Sequence, residues 1–481
     1  MALTGASMLV QFSSLPVALS IPTLSEYFGT GIADTAWLVI VYLLVLGSFV
    51  MLAARLGDRY GHGRVFFIGI LTSTLGTGLI ALSQELSHVI ALRAVTGLGS
   101  ALIMGNANAI LAATFPPNER GRAYALPIIG SRVGTLAGLA VFGLALQLLS
   151  WRVIFAAFIP LGLIAVIAAL PLLRERGQPR TAGSTGRVDW LGGGFLAATA
   201  IVLILSGTHL HGGEESFVSS EGLSYHLPMN ALFLVLLAAF VVVERAVANP
   251  LIDLRHFRVR AFSLSLGSNV TYHASMLATF TLVPILVEQG FGKEPIFVTL
   301  VLLPSQSLGL FMPLVAGWIY DKYHPEYLRP ATLAAIAGGF VVLSLSAPHV
   351  SFWVLPLLMF PIAIGTNMFN PINNATVMSS LSLEHRGVAS GMLETSRELG
   401  HALGATAAAS ALAFALPAGI DLVSDEIAQG FMVRGFQIST TVVVFVLLFG
   451  AMLAYLQNIS TKSERASLEA SGDWQEAGAG D

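Results

Sequence analysis

The chain has 481 residues, of which 55% are hydrophobic and only 11% charged, with a net charge of −3. Soluble domains carry about 25% charged residues, so a soluble fold of this composition would expose too much apolar surface. Because the sequence contains no cysteine, disulfides and thiolate metal sites are also excluded.

Apolar stretches recur along nearly the whole chain, each long enough to cross about 30 Å of hydrocarbon as a helix. Membrane-spanning strands would instead show segments of about ten residues with alternating polarity. We therefore predict an all-α integral membrane protein with fourteen spans. In chain order the spans are Thr4–Pro22, Ala36–Ala54, Val65–Leu82, His88–Phe115, Ala123–Leu149, Val153–Leu173, Gly192–Thr208, Met229–Val247, Ala261–Val287, Ile296–Ile319, Pro330–Leu345, Trp353–Ser379, Ser390–Leu416 and Phe436–Leu456.

The distribution of basic residues predicts the orientation in the membrane. With both termini cytosolic, eighteen of the 24 Lys and Arg residues lie in or beside cytosolic segments. Only Arg152, Lys293 and Arg434 lie outside, and the other three lie within spans. This asymmetry follows the positive-inside bias and predicts a multi-pass membrane protein with an even number of spans and both termini in the cytosol. No basic residue precedes Arg55, so the first span is not predicted to be a cleavable signal.

An internal repeat divides the chain. The segment Ala54–Gly61 (ARLGDRYG) recurs as Gly317–His324 (GWIYDKYH), an offset of 263 residues that pairs Asp58 with Asp321. At an offset of 266, Gly99, Asn108, Ala109, Arg120 and Gly121 match Gly365, Asn374, Ala375, Arg386 and Gly387. Such repetition is typical of transporters. It predicts six-helix bundles at 1–175 and 251–460, a linker with two additional spans at 176–250 and a disordered cytosolic tail at 461–481.

Five motifs together resemble those of one known family. They are Leu56–Arg64 (LGDRYGHGR), Leu92–Gly99 (LRAVTGLG), Ser150–Phe155 (SWRVIF), Asn249–Leu254 (NPLIDL) and Arg386–Gly391 (RGVASG). The chain resembles the major facilitator superfamily, and within it the fourteen-helix branch of bacterial drug/proton antiporters. The resemblance implies two pseudo-symmetric six-helix bundles plus two extra central helices. It also implies a transporter without a cofactor rather than an enzyme.

The loop after span 2 places charges where two helix ends meet. Asp58 and Arg59 stand there, and Asp321 and Lys322 repeat them in the second half. A carboxylate in such a place can bind the N-terminus of a neighbouring helix. The resemblance implies that these residues, with Arg386, form a cytosolic gate that holds the halves together when the transporter opens outward. The alternative is that the basic residues only set the topology.

Charged residues inside spans are costly in hydrocarbon and face the interior of a bundle. Arg93 of span 4 is one of them. By the resemblance, it would help to couple proton movement or bind an anionic group. The alternative is a salt bridge, or a contact with backbone carbonyls between helices.

A second group of charges lies in span 13. Glu394, Glu398 and His401 fall on one helix face, and Arg397 follows Glu394 by three residues. Burial disfavours the charged form of Glu398 unless Arg397 or Arg132 holds it ionised, and such competition is the basis of a proton switch. Together with the arginine of span 4, these residues are predicted to couple protons. The alternative is a permanently paired structural network.

In this family, spans 1 and 4 and their counterparts 9 and 12 line the central cavity. The residues thereby nominated as substrate contacts are Gln11, Ser14, Asn106, Asn108, Asn269, Tyr272, His273, Met276, Asn367, Asn370, Asn373 and Asn374. The asparagines of span 12 are unusual for a lipid-facing helix, since unpaired amides are costly in hydrocarbon. They could equally hold helices together, and His273 could either titrate or be a hydrogen-bonded structural residue.

Two departures separate the chain from exporters of cationic drugs. The stretch Phe12–Leu19 has serine where many fourteen-helix exporters carry an aspartate, and Gly138–Gly143 lacks the family's proline. The leading prediction is still proton-coupled export of amphipathic drugs or small metabolites by alternating access. The alternative is a proton-independent facilitator or uptake carrier for a small neutral or anionic metabolite. The retained gate loops disfavour a receptor or an intramembrane enzyme.

The remaining features predict few further partners. No phosphate-binding Gly-Lys-Ser/Thr loop occurs, which argues against an ATP-driven pump. The predicted partners are a small-molecule substrate, protons and the lipid bilayer, without nucleic acid, and the protein is predicted to be a monomer. A polar loop is predicted to be solvated rather than metal-binding; its candidate ligands are His209, His211, Glu214, Glu215 and His226.

Overall fold

The computed structural model describes residues 2–14, 17, 20–30, 32–173, 189–207, 220–247, 250–294, 296–382, 385–415 and 425–471. Within these ranges the chain is helical and forms no strand. Most of the predicted linker, the polar loop after Gly207 with its four candidate ligands, and residues 472–481 lie outside them, as does the side chain of His226.

Among the described residues, the first half of the chain forms eight helices, because two of its predicted spans are interrupted. These are α1 (Ala2–Phe12), α2 (Ile21–Phe28), α3 (Ile32–Tyr60), α4 (His62–Leu79), α5 (Leu86–Thr114), α6 (Arg120–Leu148), α7 (Trp151–Ala156) and α8 (Phe158–Leu173). The inserted pair consists of α9 (Trp190–Gly207) and α10 (Ser220–Ala246).

The second half also forms eight helices. These are α11 (Arg260–Ile285), α12 (Ile296–Leu308), α13 (Met312–Tyr323), α14 (Leu328–Ser346), α15 (Leu355–Leu358), α16 (Phe360–Ser379), α17 (Arg386–Ala415) and α18 (Asp425–Ser471). A π-helical turn, Leu286–Gly290, continues α11. Shorter 3₁₀ turns lie at Ile80–Leu82, Pro117–Glu119, Leu254–Arg258 and Phe352–Val354.

Ten helical stretches among the described residues are long and apolar enough to cross a membrane. They coincide with predicted spans 2, 3, 4, 6, 8, 9, 10, 11, 12 and 14. At the positions of spans 1, 5, 7 and 13 the chain is also helical, in α1, α6, α9 and α17. The all-helical membrane fold is therefore confirmed, whereas the number fourteen stays a prediction.

Two helix boundaries differ from those predicted. The first span was expected to be continuous from Thr4 to Pro22, but α1 ends at Phe12 and α2 begins only at Ile21. Ser13, Ser14 and Pro16 lie in this interval, and both serine and proline disfavour a helix interior. At the other end, α18 continues to Ser471, so the first part of the tail predicted to be disordered is helical.

The apolar core is divided between the two halves. One cluster contains only residues of the first half, among them Phe66, Phe155 and Phe158. Another contains only residues of the second half, including Phe340 and Phe369. A third cluster joins residues of both halves with the inserted helix α10. Each half therefore buries its own apolar faces, and the third cluster packs the halves and the inserted pair together.

Close approach of α1 to α6 depends on two glycines one turn apart. A Cβ built on Gly130 would overlap the backbone of Thr4, and one built on Gly134 would overlap the backbone of Met8. Small residues four apart are the usual means by which membrane helices approach closely, because lipid supplies no hydrophobic force between them.

We expect Gly134→Ala to lower the free energy of unfolding by about 1–3 kcal/mol, because α1 must move away from α6 to admit the methyl group. Gly338→Ala is the matched control, since a Cβ at Gly338 in α14 meets nothing within 4 Å. Alanine there should leave stability unchanged or raise it by about 0.5–1 kcal/mol. Thermal unfolding of both variants in detergent measures the difference, and equal stabilities would contradict this packing.

Candidate functional site

Asp321, at the end of α13, binds the N-terminus of α6. Its Oδ1 accepts a hydrogen bond from the backbone N–H of Gly121 at 2.8 Å, and its Oδ2 accepts one from the N–H of Arg122 at 3.0 Å. The Arg122 Nε lies 3.3 Å from the same oxygen. Unpaired N–H groups at a helix start favour a carboxylate in this position. A Cβ at Gly121 would lie only 2.7 Å from Asp321 Oδ1, so glycine is needed for this contact.

The repeated acid makes the reciprocal contact. Asp58, at the end of α3, lies against Gly387 at the start of α17, where a Cβ would overlap its carboxylate. Arg55 Nη1 lies 3.5 Å from Asp58 Oδ2, and His62 Nε2 lies 3.3 Å from Asp58 Oδ1. Each half thus presents an acid to a helix start of the other half. We call Asp58, Gly387, Asp321 and Gly121 the gate.

The other predicted gate residues lie beside these contacts. Arg59 is stacked on the ring of Tyr60 at 5.3 Å, and Lys322 lies 5.0 Å from the rings of Trp318 and Tyr323. Arg386 is the first residue of α17. Each of these cations is next to a gate residue in the sequence, and the two acids make the contacts between the halves.

The charged residues of α17 form a continuous chain of contacts, which we call the charge network. Arg397 Nη1 lies 2.7 Å from Glu394 Oε2, and Arg397 Nε donates to Glu398 Oε1 at 3.1 Å. His401 Nδ1 lies 3.8 Å from Glu398 Oε2, and His401 Nε2 lies 3.2 Å from Nδ1 of His273 on α11. One arginine is therefore shared by two buried carboxylates, and two histidines extend the chain to the next helix.

The charge network reaches the first half of the chain at Asn108. The Asn108 amide donates to Glu394 Oε1 at 2.9 Å, which joins α5 to α17. Nearby, Ser390 Oγ donates to the carbonyl of Gly105 at 2.8 Å. The first of these bonds has an ionisable partner, so it is the one that a change of protonation can alter.

Arg93 is fully buried and binds backbone carbonyls. Its Nε donates to Leu38 O at 2.8 Å, and its Nη1 donates to Ser13 O at 2.8 Å and to Ser13 Oγ at 3.1 Å. The guanidinium also lies 4.2 Å from the ring centre of Tyr42. Because α1 ends at Phe12, the Ser13 carbonyl lacks a helical partner. Arg93 satisfies it and holds α1, α3 and α5 together, which corresponds to the structural alternative.

Several of the predicted cavity asparagines bond helices to one another. Asn269 donates to Ser396 Oγ at 2.8 Å and accepts from Asn373 at 3.2 Å, so that α11, α16 and α17 are joined. Asn367 donates to Ser305 O at 3.0 Å. Asn106 donates to Ala53 O at 3.0 Å and contacts His62 Nδ1 at 2.7 Å, which places it beside the gate loop. These contacts correspond to the alternative in which the amides hold helices together.

Among the other predicted cavity residues, Tyr272 and His273 lie beside the charge network. The Tyr272 hydroxyl donates to Thr366 O at 2.9 Å, with the Asn370 side chain also beside it. The rings of Tyr272 and His273 are in edge contact, with centroids 4.7 Å apart. Ser14 is buried, whereas the last four are partly exposed: Gln11, Met276, Asn370 and Asn374. The partly exposed residues keep atoms available for a substrate.

Two features of the site were missed by sequence reasoning. Arg132 of α6 was considered a partner for Glu398, but its charge acts on Tyr272 and His273. Among the described residues, Arg397 is the arginine that binds Glu398, and it also binds Glu394. Arg55 was counted only as a topogenic charge. It also donates to the carbonyls of Pro250 and Leu251, which follow the inserted pair.

Comparison with known proteins places the chain among transporters. The sequence profile of the Major Facilitator Superfamily matches residues 1–405. The riboflavin transporter RibZ of Clostridioides difficile is 25% identical over 383 residues, which are 80% of this chain and 81% of that protein. The multidrug resistance protein Stp of Mycobacterium tuberculosis is 27% identical over 421 residues, covering 87% of this chain and 76% of that protein.

Two further proteins extend the comparison. The tetracenomycin C resistance and export protein of Streptomyces glaucescens is 24% identical over 409 residues, covering 82% of this chain and 72% of that protein. The crystal structure of the human organic anion transporter MFSD10 superimposes with a TM-score of 0.54 at 15% identity. It covers 94% of this chain and 98% of that chain, and at this identity it supports the fold alone.

We expect Asp321→Asn to weaken the gate. The carboxylate accepts hydrogen bonds from two backbone N–H groups of α6, whereas the amide would turn its NH₂ group, itself a donor, towards one of them. Loss of such a bond costs about 1–3 kcal/mol, which shifts the ratio of open to closed gate by about 5- to 150-fold. The chain has no cysteine, so spin labels at Tyr60→Cys and Tyr323→Cys report the gate distance. Both tyrosines are exposed, at 54% and 59%.

The control is Asp34→Asn. Asp34 is exposed and lies in the first turn of α3, at the opposite end of this helix from Asp58. It should leave the distance distribution unchanged. If Asp321→Asn and Asp34→Asn gave the same distribution as the parent protein, the carboxylate contact would not hold the gate closed.

Proposed function

Because the chain belongs to the major facilitator superfamily, we propose that it is a proton-coupled exporter of amphipathic drugs or small metabolites. As a member of that superfamily it is a multi-pass membrane transporter and not an enzyme. Coupling to protons, the substrate class and the direction of transport belong to the proposal. So do a monomeric state and a bacterial inner membrane location with the gate on the cytosolic face.

The charge network carries the proposal. Two carboxylates and two histidines are held in one chain of contacts inside the protein, although ionisable groups are costly there. Packing alone needs no titratable side chains in this position. A set of proton acceptors in contact with one another is what a proton path through the protein requires.

A proton bound at Glu398 would change how Arg397 is shared. Glu398 would then be a weaker acceptor, and Glu394 would remain as the ionised partner of the arginine. Glu394 is also the residue that bonds Asn108 of the other half. Protonation at one side chain is therefore transmitted through Arg397 to a bond between the halves. In alternating access, such bonds must break and form again as the halves rock.

The gate supports the same mechanism from one face of the membrane. The contacts of Asp58 with Gly387 and of Asp321 with Gly121 join the two halves at one face, and we propose that they close it. Their reciprocal arrangement lets both break in a single rocking movement of one half against the other. Export of drugs is supported by the named activities of two relatives, the Stp protein and the tetracenomycin C exporter.

A proton-independent carrier for a small neutral or anionic metabolite is the second candidate. It is favoured by the sequence of α1, which contains no carboxylate that could bind a cation. Ser13, which follows this helix, is bound to Arg93. A relative of this size that is named a riboflavin transporter supports the same reading. Coupling of substrate movement to protons separates the two candidates.

We expect liposomes containing the purified protein to show substrate-driven proton movement with at least one amphipathic drug or metabolite. Glu398→Gln should reduce that proton movement to background, because the amide still accepts from Arg397 but binds no proton. Glu294→Gln is the control, since Glu294 is exposed before α12 and should behave as the parent protein. Substrate uptake without proton movement, unchanged in Glu398→Gln, would instead establish the proton-independent carrier.

A further inference from the structure

Two carboxylates meet at the base of the inserted helix pair. Asp189 immediately precedes α9, and Glu244 lies in the last turn of α10. A Cβ built on Gly192 would overlap both Asp189 Oδ2 and Glu244 Oε1, so these oxygens face each other across the glycine. The Glu244 side chain is nearly enclosed, with the residue only 4% exposed.

The outer oxygens of these acids have partners, whereas the inner ones do not. Asp189 Oδ1 accepts from the backbone N–H of Gly192 at 2.8 Å, and Glu244 Oε2 accepts from that of Ile252 at 2.8 Å. Asp189 Oδ2 and Glu244 Oε1 are buried without a hydrogen-bond donor from any residue that the structure describes. Two buried acceptors that face each other indicate a ligand that neither side chain supplies.

The arrangement of the Asp189 and Glu244 carboxylates is suited to binding a proton. Two ionised carboxylates so close repel each other, and burial increases the cost of their charges. One proton between them removes a charge and supplies the missing donor to both inner oxygens. The described residues contain no group of three or more His, Asp or Glu side chains that could hold a metal ion. We propose that Asp189 and Glu244, which we call the acid pair, share one proton and thereby control the gate.

A short segment connects the acid pair to the gate. Ile252 donates its N–H to Glu244, and the two preceding residues give their carbonyls to Arg55. Arg55 Nε donates to Leu251 O at 2.6 Å, and its Nη2 donates to Pro250 O at 2.9 Å. The remaining nitrogen, Nη1, lies 3.5 Å from the gate acid Asp58. The segment is therefore held by the acid pair on one side and, on the other, by Arg55, which contacts the gate acid Asp58.

Among the described residues, the acid pair has less positive than negative charge near it. Arg55 and Asp189 are the charged groups from neighbouring elements whose fields act on Glu244. In the segment that follows, Asp253 is paired with exposed Arg255. Burial, and then repulsion from His385, lower the pKa of His256, which disfavours a positive charge on its ring. Arg55 is thus the cation that the described residues place between the acid pair and Asp58, and a shared proton relieves the excess of negative charge.

Loss of the shared proton has a definite direction of effect. The acid pair would then repel, and the ends of α9 and α10 would move apart. Ile252 and its two predecessors would follow Glu244, which would withdraw the carbonyls that orient Arg55 towards Asp58. A protonated acid pair therefore favours the closed gate, and its deprotonation favours opening. This second step rests on the alternating access proposed above, whereas proton binding by the acid pair does not.

Infrared spectroscopy of the protein in lipid tests proton binding directly. We expect the carboxylic acid C=O band to contain a component at neutral pH that disappears on alkaline titration. It should be absent in Glu244→Gln, whose amide would donate to Asp189 in place of the proton. Asp253→Asn, which changes an exposed acid nearby, should retain it. The proposal is overturned if Glu244→Gln retains the whole band, or if the band responds to added Na⁺ rather than to pH.

Spin labels at Tyr60→Cys and Tyr323→Cys test control of the gate. In the parent protein the open fraction should rise with pH. Glu244→Gln should behave as permanently protonated, with an open-to-closed ratio at alkaline pH lower by about tenfold, equivalent to one pKa unit. Asp253→Asn should follow the parent. Identical pH dependence in Glu244→Gln and parent would overturn control by the acid pair, whereas a gate that never opens in the parent would overturn alternating access.

Discussion

Hydrocarbon contains no water to satisfy a polar group, so every carbonyl, amide and charge within the membrane must find its partner in the protein. Much of this structure follows from that constraint. The break after α1 leaves the Ser13 carbonyl without a helical partner, and buried Arg93 supplies one. The asparagines of α11 and α16 bond across helices for the same reason. A polar side chain in this fold therefore has a structural explanation first, and a functional role needs a further observation.

The gate shows how the same constraint can produce movement. Helix N-termini leave free N–H groups, and the repeat provides two acids at equivalent positions, Asp58 and Asp321. Each acid is placed against the other half, so that the closed face depends on two weak contacts exchanged between near-equivalent partners. Because neither contact lies within one half, both can be lost without exposing the core of either half. Closure of this face is therefore compatible with a readily reversible rocking movement.

The sequence predicts the fold well because hydrophobic length is a strong signal, and the internal repeat identified the two gate acids and the two glycines as equivalent residues of the two halves. An offset of 263 residues paired Asp58 with Asp321, and one of 266 paired Gly121 with Gly387. The structure brings these two pairs into contact crosswise. The roles of Arg93 and Asn106 depended on which backbone carbonyls lie opposite them, and that is set by helix rotation, which the sequence pattern does not encode. The break within the first span was missed because its apolar length concealed the effect of Ser13, Ser14 and Pro16.

The inserted helices are connected to Arg55 through the residues that follow α10. Their apolar surfaces require no acids, yet each contributes a carboxylate at the base, and the chain that leaves α10 returns directly to α3. In the sequence, Asp189 and Glu244 look like ordinary charges at the ends of membrane helices. Their contact is not evident there, because the two residues lie 55 positions apart. The charge network of α17 lies between the halves, whereas the acid pair lies beside the gate. Under the two proposals above, the charge network would respond to protons at the substrate path, and the acid pair would make opening depend on the pH of the face that the gate closes.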